Sequence, residues 1–487
     1  MKQNVSVTKD KKCLKQTVFF KYKDIIYSVV LFIAIYLLLK FNCKQELIFD
    51  SAKYWKLSDP CFENDQFNLL NFPETFRGYF LPVFYGLMRR YSFKIFGSEW
   101  ILYLLTTSIM LTLLISTIIP KVISNKLSSK RKFLGGVVFL FLIWYFFKDL
   151  YLFPLSDLQA MFFVMGAFVL LENIKQEGKN KNTLYFLKSI LAGAMLYIAY
   201  NTRTIYLYGI ILFLLVYLYR TFKDKYKKAV LLCIGVSIGA LSLALPQMII
   251  NNKYTGSFTP RVLTEQRANY EYDLNSWQMY QGIRLARYES YSGEEIGNQK
   301  KGGLRFFDNA GKQLLISENL KDGYLTISDF FKLLAKHPFD MIGIYIRSLV
   351  NYMTPLYTDT YISDLYKDKM SPFFINAVIW IISFGYFFMQ KKEDIIKWSK
   401  ESSSIIISTI LPCLLLIVGA PEIRFFLPIY YLLYGTVCYS VDYKGMIRAF
   451  KANPIKISII ILTLFCLWIA VIGSTLSQSS ANVYLFN

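Results

Sequence analysis

Short polar gaps cut the sequence into about eleven apolar runs, most of them near the ~20 residues a helix needs to cross a bilayer. Few folds accept that pattern. No soluble core takes up so many long apolar segments, and in hydrocarbon every backbone polar group must find its partner inside its own helix. The runs fall at about 25–41, 99–119, 133–147, 151–171, 188–202, 204–219, 229–250, 371–390, 403–420, 425–440 and 457–475. The expected fold class is an all-α polytopic membrane protein with about 11 transmembrane helices. Only 18% of the residues are charged and 54% are hydrophobic, against about 25% charged in soluble domains.

The charges set the orientation. A net charge of +22 would suit nucleic acid, but the basic residues cluster in alternate gaps: Lys9–Lys23, Lys121–Lys132, Lys175–Lys188, Arg220–Lys228, Lys391–Lys400 and Lys444–Lys456. This is the positive-inside pattern. It predicts a cytoplasmic N-terminus and no nucleic-acid partner. The first run lies behind a basic, polar stretch and no small-residue cleavage site follows it, so it is read as a retained span. The segment 341–357 is apolar enough to be mistaken for a span. If it crossed, Lys391–Lys400 and Lys444–Lys456 would both face outside. It is therefore expected to be an amphipathic helix over 339–357 in the outer interface, with Arg347 and Asn351 on its polar stripe and Pro355 limiting its end.

Four regions follow: a cytoplasmic tail at 1–24, a membrane domain at 25–250, an external region at 251–370 ending in that interfacial helix, and a second membrane domain at 371–487. External loop one, about 42–98, carries another interfacial stretch, Tyr79–Phe96. Loop two is expected to form a mixed external domain. It is rich in glycine (Gly282, Gly293, Gly297, Gly302, Gly303, Gly311) and aromatics (Tyr270, Tyr272, Trp277, Tyr280, Tyr288, Tyr291), and connections this long are usually functional. No glycine-rich phosphate loop stands beside a lysine, and the single histidine, His337, excludes a histidine-rich metal site. The seven cysteines form no CxxC pair; Cys43 and Cys61 share loop one, as free thiols or as a disulfide.

Charges at the outer boundary are the candidates for chemistry, because a charge there is costly unless used or solvated. Asp50, in Phe49-Asp50-Ser51-Ala52-Lys53-Tyr54-Trp55, follows the first span. A carboxylate beneath aromatics suits a general base whose pKa partial burial raises toward the working pH; the alternative is a solvated loop aspartate. Asp157, in Pro154-Leu155-Ser156-Asp157, is expected about one turn into span four, reaching the outer water as a second acid, metal ligand or acceptor-positioning group. The alternative is a helix-starting aspartate on the macrodipole. Arg203 and Arg424 stand at outer boundaries against the positive-inside trend, and guanidinium suits phosphate; the alternative is pairing with Glu422 or lipid headgroups.

In chain order the external Asp50-x-x-x-Tyr54, Arg77-Gly78-Tyr79-x-x-Pro82, the Phe96-Gly97 break, Pro154-Leu155-Ser156-Asp157, Asn201-Thr202-Arg203, Lys336-His337-Pro338 and Glu422-Ile423-Arg424-Phe425-Phe426-Leu427-Pro428 resemble the GT-C glycosyltransferases. The likeness is to bacterial relatives of protein mannosyltransferases and of the aminoarabinose transferase, over about residues 25–440. The resemblance implies sugar transfer from a polyprenyl-phosphate donor to a glycan, lipid or protein acceptor on the external face. Asp50 would be the base, with Asp157 a second catalytic acid. Arg203 and Arg424 would bind the donor phosphate, and Tyr54, Arg77, Glu422 and His337 are further site candidates. The family often shows an acidic pair in the first loop, whereas Ser51 follows Asp50 here. A divalent metal, with Asp50 and Asp157 as two of its ligands, is kept open but not expected to be required. A donor synthase and a flippase would act upstream. An O-antigen-type polymerase or ligase and a lipid-linked glycan transporter are the alternatives. The only Asn-x-Ser/Thr sequon, Asn4-Val5-Ser6, lies in the tail, which favours a bacterial plasma membrane.

Overall fold

The computed structural model describes residues 4–43, 46–123, 129–176, 182–224, 226–264, 274–292, 302–320, 323–364, 368–388, 392–477 and 483–485. Tyr270, Tyr272, Gly293 and Gly297 of loop two lie outside them. The first half is α1 (Asn4–Asn42), α2 (Phe49–Lys56), α3 (Phe80–Phe96), α4 (Ile101–Leu113), α5 (Ile119–Ile123), α6 (Ser129–Phe147), α7 (Asp149–Leu152), α8 (Asp157–Gln176), α9 (Asn182–Thr202), α10 (Tyr206–Asp224) and α11 (Tyr226–Thr255). Loop two and the second half supply α12 (Leu274–Arg284), β1 (Leu285–Tyr291), β2 (Gly302–Phe307), α13 (Asn309–Ser317), α14 (Ile327–Lys336), α15 (Pro338–Tyr352), β3 (Tyr361–Ile362), α16 (Met370–Phe388), α17 (Lys392–Leu415), α18 (Leu427–Gly435), α19 (Tyr443–Ala452), α20 (Pro454–Ser477) and β4 (Val483–Leu485).

Among the described residues each apolar run is largely helical, the run at 151–171 being broken between Leu152 and Asp157. Among the described residues six helices are long and apolar enough to cross a membrane: Lys23–Asn42, Ile101–Ile123, Asn182–Thr202, Tyr206–Lys223, Tyr226–Thr255 and Ile457–Leu476. The chain is a helical membrane protein. The expected fourth span starts later than the apolar run does. Pro154 follows a short α7, and α8 begins at Asp157. Non-helical backbone inside a bundle needs substitute hydrogen bonds, and buried tyrosines supply them. Tyr103 Oη donates to the carbonyls of Tyr151 and Phe153 at 2.9 and 2.8 Å, and Tyr85 Oη donates to that of Leu155 at 2.7 Å.

Loop one is anchored by amides. Asn201 Oδ1 accepts from Phe80 N at 2.9 Å, and Asn201 Nδ2 donates to Gln247 Oε1 at 2.9 Å. Gln247 Nε2 donates on to Asn251 Oδ1 at 2.9 Å, and Asn251 Nδ2 binds the carbonyls of Thr259 and Arg261. Gly78 is needed for this approach, because a Cβ there would lie 1.9 Å from the Asn201 carbonyl oxygen. The clasp fixes the backbone just after Arg77. Cys43 and Cys61 are free thiols, so loop one carries no disulfide between them.

Loop two folds as a mixed domain. Its sheet runs β3-β1-β2-β4, with β1 antiparallel to β2 (Tyr291 opposite Gly302) and parallel to β3 (Ser290 opposite Tyr361). The helix expected over 339–357 is α15, which ends at Tyr352, and Arg347 and Asn351 share its polar side. Asn351 is 1% exposed and donates to Thr475 Oγ1 at 3.0 Å. Arg347 forms a fork with Asp308, Nε to Oδ2 at 2.6 Å and Nη2 to Oδ1 at 2.9 Å. The polar stripe faces the domain because Asp308 is buried and needs its cation, while Phe339, Ile342 and Ile346 are exposed.

Candidate functional site

Chain order brings the ends of α1, α9, α11 and α17 to one end of the bundle with the starts of α8, α10 and α18. Seven of the eight candidate residues meet at this end.

Asp50 is delivered by a backbone reversal. Phe49 has a left-handed φ of 50°, a rare conformation for a bulky residue that the surrounding structure must enforce. Its ring packs against Tyr361 at 5.3 Å. Asp50 then takes two arginines, one per oxygen: Arg77 Nη2 at 3.0 Å from Oδ1 and Arg424 Nη2 at 3.1 Å from Oδ2. Arg77 lies over the Tyr54 ring at 4.5 Å. Arg424 also binds Glu422, Nε to Oε2 at 2.6 Å.

The second pair is more enclosed. Arg203 Nη1 is 3.0 Å from Asp157 Oδ1, and Arg203 Nε donates to Ser156 Oγ at 3.1 Å. Asp157 is 3% exposed, which corrects the expectation that it reaches outer water: starting α8 below the tyrosine-pinned break sinks it into the bundle. Arg203 and Arg424 both lie over the Phe425 ring, at 4.7 and 5.5 Å. The two cations share a crevice with Asp157, Tyr206, Cys413 and Phe425, whose water-accessible volume is ≈ 10 Å³, about one water.

The charges balance: Arg77, Arg203 and Arg424 face Asp50, Asp157 and Glu422. Electrostatics then correct the expectation for Asp50. Burial alone would raise its carboxyl, but Arg424 and Arg77, by charge and by hydrogen bonds, outweigh burial and hold it well below the usual carboxylate range. Glu422 goes the other way: burial raises it, and Arg424 offsets only part of the rise.

His337 stands apart. Its Nε2 is 2.9 Å from Glu318 Oε1, at the junction of α14 and α15, and its Nδ1 is 3.7 Å from Asp340 Oδ2. Asp50 and Asp157 are each paired with arginine and lie in separate ion pairs. Among the described residues no group of three or more His, Cys, Asp or Glu side chains is placed to hold a metal.

Residues that sequence reasoning passed over also reach the site. β1 buries the side that carries Arg287 and Glu289, while Tyr288 and Ser290 on the other side are half-buried, as strand alternation allows. Arg287 is 2% exposed, donates from Nε to Glu289 Oε1 at 2.7 Å and from Nη1 to the Thr354 carbonyl at 2.7 Å. Asp149 is fully buried, and its Oδ2 accepts from Thr360 N at 3.1 Å. The alternation Arg287-x-Glu289 in a strand-like segment was the available signal for the first pair. A carboxylate in the three-residue turn between two apolar runs was the signal for Asp149.

No protein-family model, curated protein or solved structure matches this chain. The GT-C likeness therefore rests on the residues quoted above.

Proposed function

We propose that this chain is a membrane glycosyltransferase of the GT-C type, crossing the bilayer about eleven times with its site on the external face. It moves a sugar from a polyprenyl-phosphate donor to an envelope glycan, lipid or protein. The observation that supports this best is the placement of Arg424. It bridges Asp50 and Glu422 and shares the Phe425 ring with Arg203.

In the reaction, the acceptor hydroxyl oxygen bonds to the anomeric carbon from the face opposite the phosphate. The anomeric carbon–oxygen bond breaks, and the electron pair leaves on the lipid phosphate. The hydroxyl proton goes to Asp50. The leaving group gains charge, and preorganised guanidinium donors stabilise that charge most in the transition state. Arg424 has a second task. A phosphate that draws Arg424 away removes one of the two cations that make Asp50 a weak base. Donor binding and base activation then become one event, and without donor the carboxylate stays quenched.

An O-antigen-type polymerase or ligase would draw on the arginines and not on Asp50. The test uses purified protein in nanodiscs with a panel of polyprenyl-phosphate sugars and envelope extracts, measuring acceptor-dependent release of polyprenyl phosphate. Asp50→Asn is expected to lose at least about a hundredfold while still folded. Full activity in Asp50→Asn with loss in Arg203→Lys would favour the polymerase or ligase. Lysine keeps the charge beside Asp157 but not the planar fork. Movement of intact lipid-linked sugar across the bilayer would mean transport instead.

A further inference from the structure

Arg424 is the only residue common to the linings of two cavities. The first is the Arg203 crevice, with cations and apolar helix ends. The second lies beneath β1 and is different in kind. Its walls include Glu289, Glu422, Asp359, Tyr288 and Tyr357, and its water-accessible volume is ≈ 30 Å³. The first cavity sets two arginines against one carboxylate, Asp157, whereas the second sets three carboxylates against the shared Arg424 and adds aromatic rings.

A lipid-phosphate sugar has the same division, with an anionic phosphate joined to a neutral ring of hydroxyls. Carboxylates repel the phosphate from the second cavity and accept hydrogen bonds from hydroxyls there, while the aromatic rings supply flat apolar surface. We propose that the cavity beneath β1 is the sugar subsite, that Glu289 is a specificity-determining residue in it, and that Arg424 marks the junction of phosphate and sugar. This rests on the transferase reading above.

Glu289 is built for such a task. Both Arg287 contacts fall on Oε1, which leaves Oε2 for the cavity. Arg287 is in turn held by the carbonyls of Asn351 and Thr354 at the end of α15. A site residue whose rotamer is fixed by a buried partner recognises geometry with little loss of side-chain freedom. The floor is fixed too: Asp149 holds Thr360 N, and Lys148 Nζ lies 3.5 Å from Asp359 Oδ1. A pyranose is larger than the present volume, so the half-buried Tyr288 at the wall must swing aside to admit it.

The experiment compares two probes on nanodisc-reconstituted full chain: bare polyprenyl phosphate, and the same lipid carrying glucose, mannose or an amino sugar. Glu289→Gln keeps the shape of the side chain and is checked by its melting temperature; Tyr288→Leu is a second variant, altering only the wall. Each is expected to weaken binding of the preferred sugar lipid by about tenfold and to leave bare polyprenyl phosphate within about twofold. Equal weakening of both probes, or of neither, overturns the sugar subsite and leaves the transferase reading standing. Wild-type protein that binds neither probe overturns the transferase reading, and the subsite with it.

Discussion

Arg203 and Arg424 lie over the same phenylalanine ring, yet the two cations are held in opposite ways. Arg203 is closed in by Ser156 and Asp157, neighbours in one short segment, and its carboxylate side chain is 2% exposed. Arg424 reaches a carboxylate contributed by loop one, 374 residues away in sequence, whose side chain is 35% exposed. A buried pair is costly to break and yields little to an incoming anion. A shared, partly solvated pair can be exchanged for a ligand. The first arginine thus serves the architecture and lines the crevice. The second is shared between Glu422 and the more solvated Asp50, and under the proposed reaction it gives up Asp50.

That contrast can be broken at several points. The largest effect is expected from Arg424→Ala, a loss of about a thousandfold in turnover, in line with removal of a transition-state donor; its melting temperature should move far less than that of an Asp157 variant. Asp50→Asn comes next, as above. Asp157→Asn should act mainly on stability, by about 3–5 kcal/mol, read as a lowered melting temperature in detergent, with the double variant Asp157→Asn/Arg203→Met recovering part of it. If Asp157→Asn leaves stability intact and abolishes turnover, the two pairs are not divided as described. The smallest effect concerns pH. Glu422 has a raised pKa, so when phosphate takes Arg424 from it the carboxylate gains a proton. Affinity for bare polyprenyl phosphate should be highest at low pH and fall as pH rises through the Glu422 pKa, by at most about tenfold per unit for one proton. Glu422→Gln should flatten that profile.

The helical membrane character was legible because bilayers reward one signal, the length of an apolar run, and six of the helices are long and apolar enough to cross among the described residues. The boundary residues Asp50, Arg77, Asp157, Arg203, Glu422 and Arg424 could be chosen because charge is conspicuous there. What could not be read was how they pair. The pKa of Asp50 depends on Arg77 and Arg424, which only the folded chain brings together, so a reading based on burial alone gave the wrong direction. The partner of the polar stripe of α15 was hidden for the same reason: Asp308, which holds Arg347, comes from another element. His337 was selected on a local motif and lies at a helix junction beside Glu318, away from the charge cluster. Glu289 was hidden because it sits in loop two, where aromatic and polar residues mask a seven-residue strand.

The amide clasp beneath loop one has a consequence for how the protein responds to its surroundings. Asn201, Gln247 and Asn251 carry no titratable proton and no net charge. Acid, base and salt leave such a fastening as it is, whereas an ion pair in its place would loosen with each. Arg77 therefore follows a backbone fastening that neither pH nor salt loosens. Within loop one, sensitivity to acidity or ionic strength is expected in the Asp50–Arg77 pair and not in the clasp beside it.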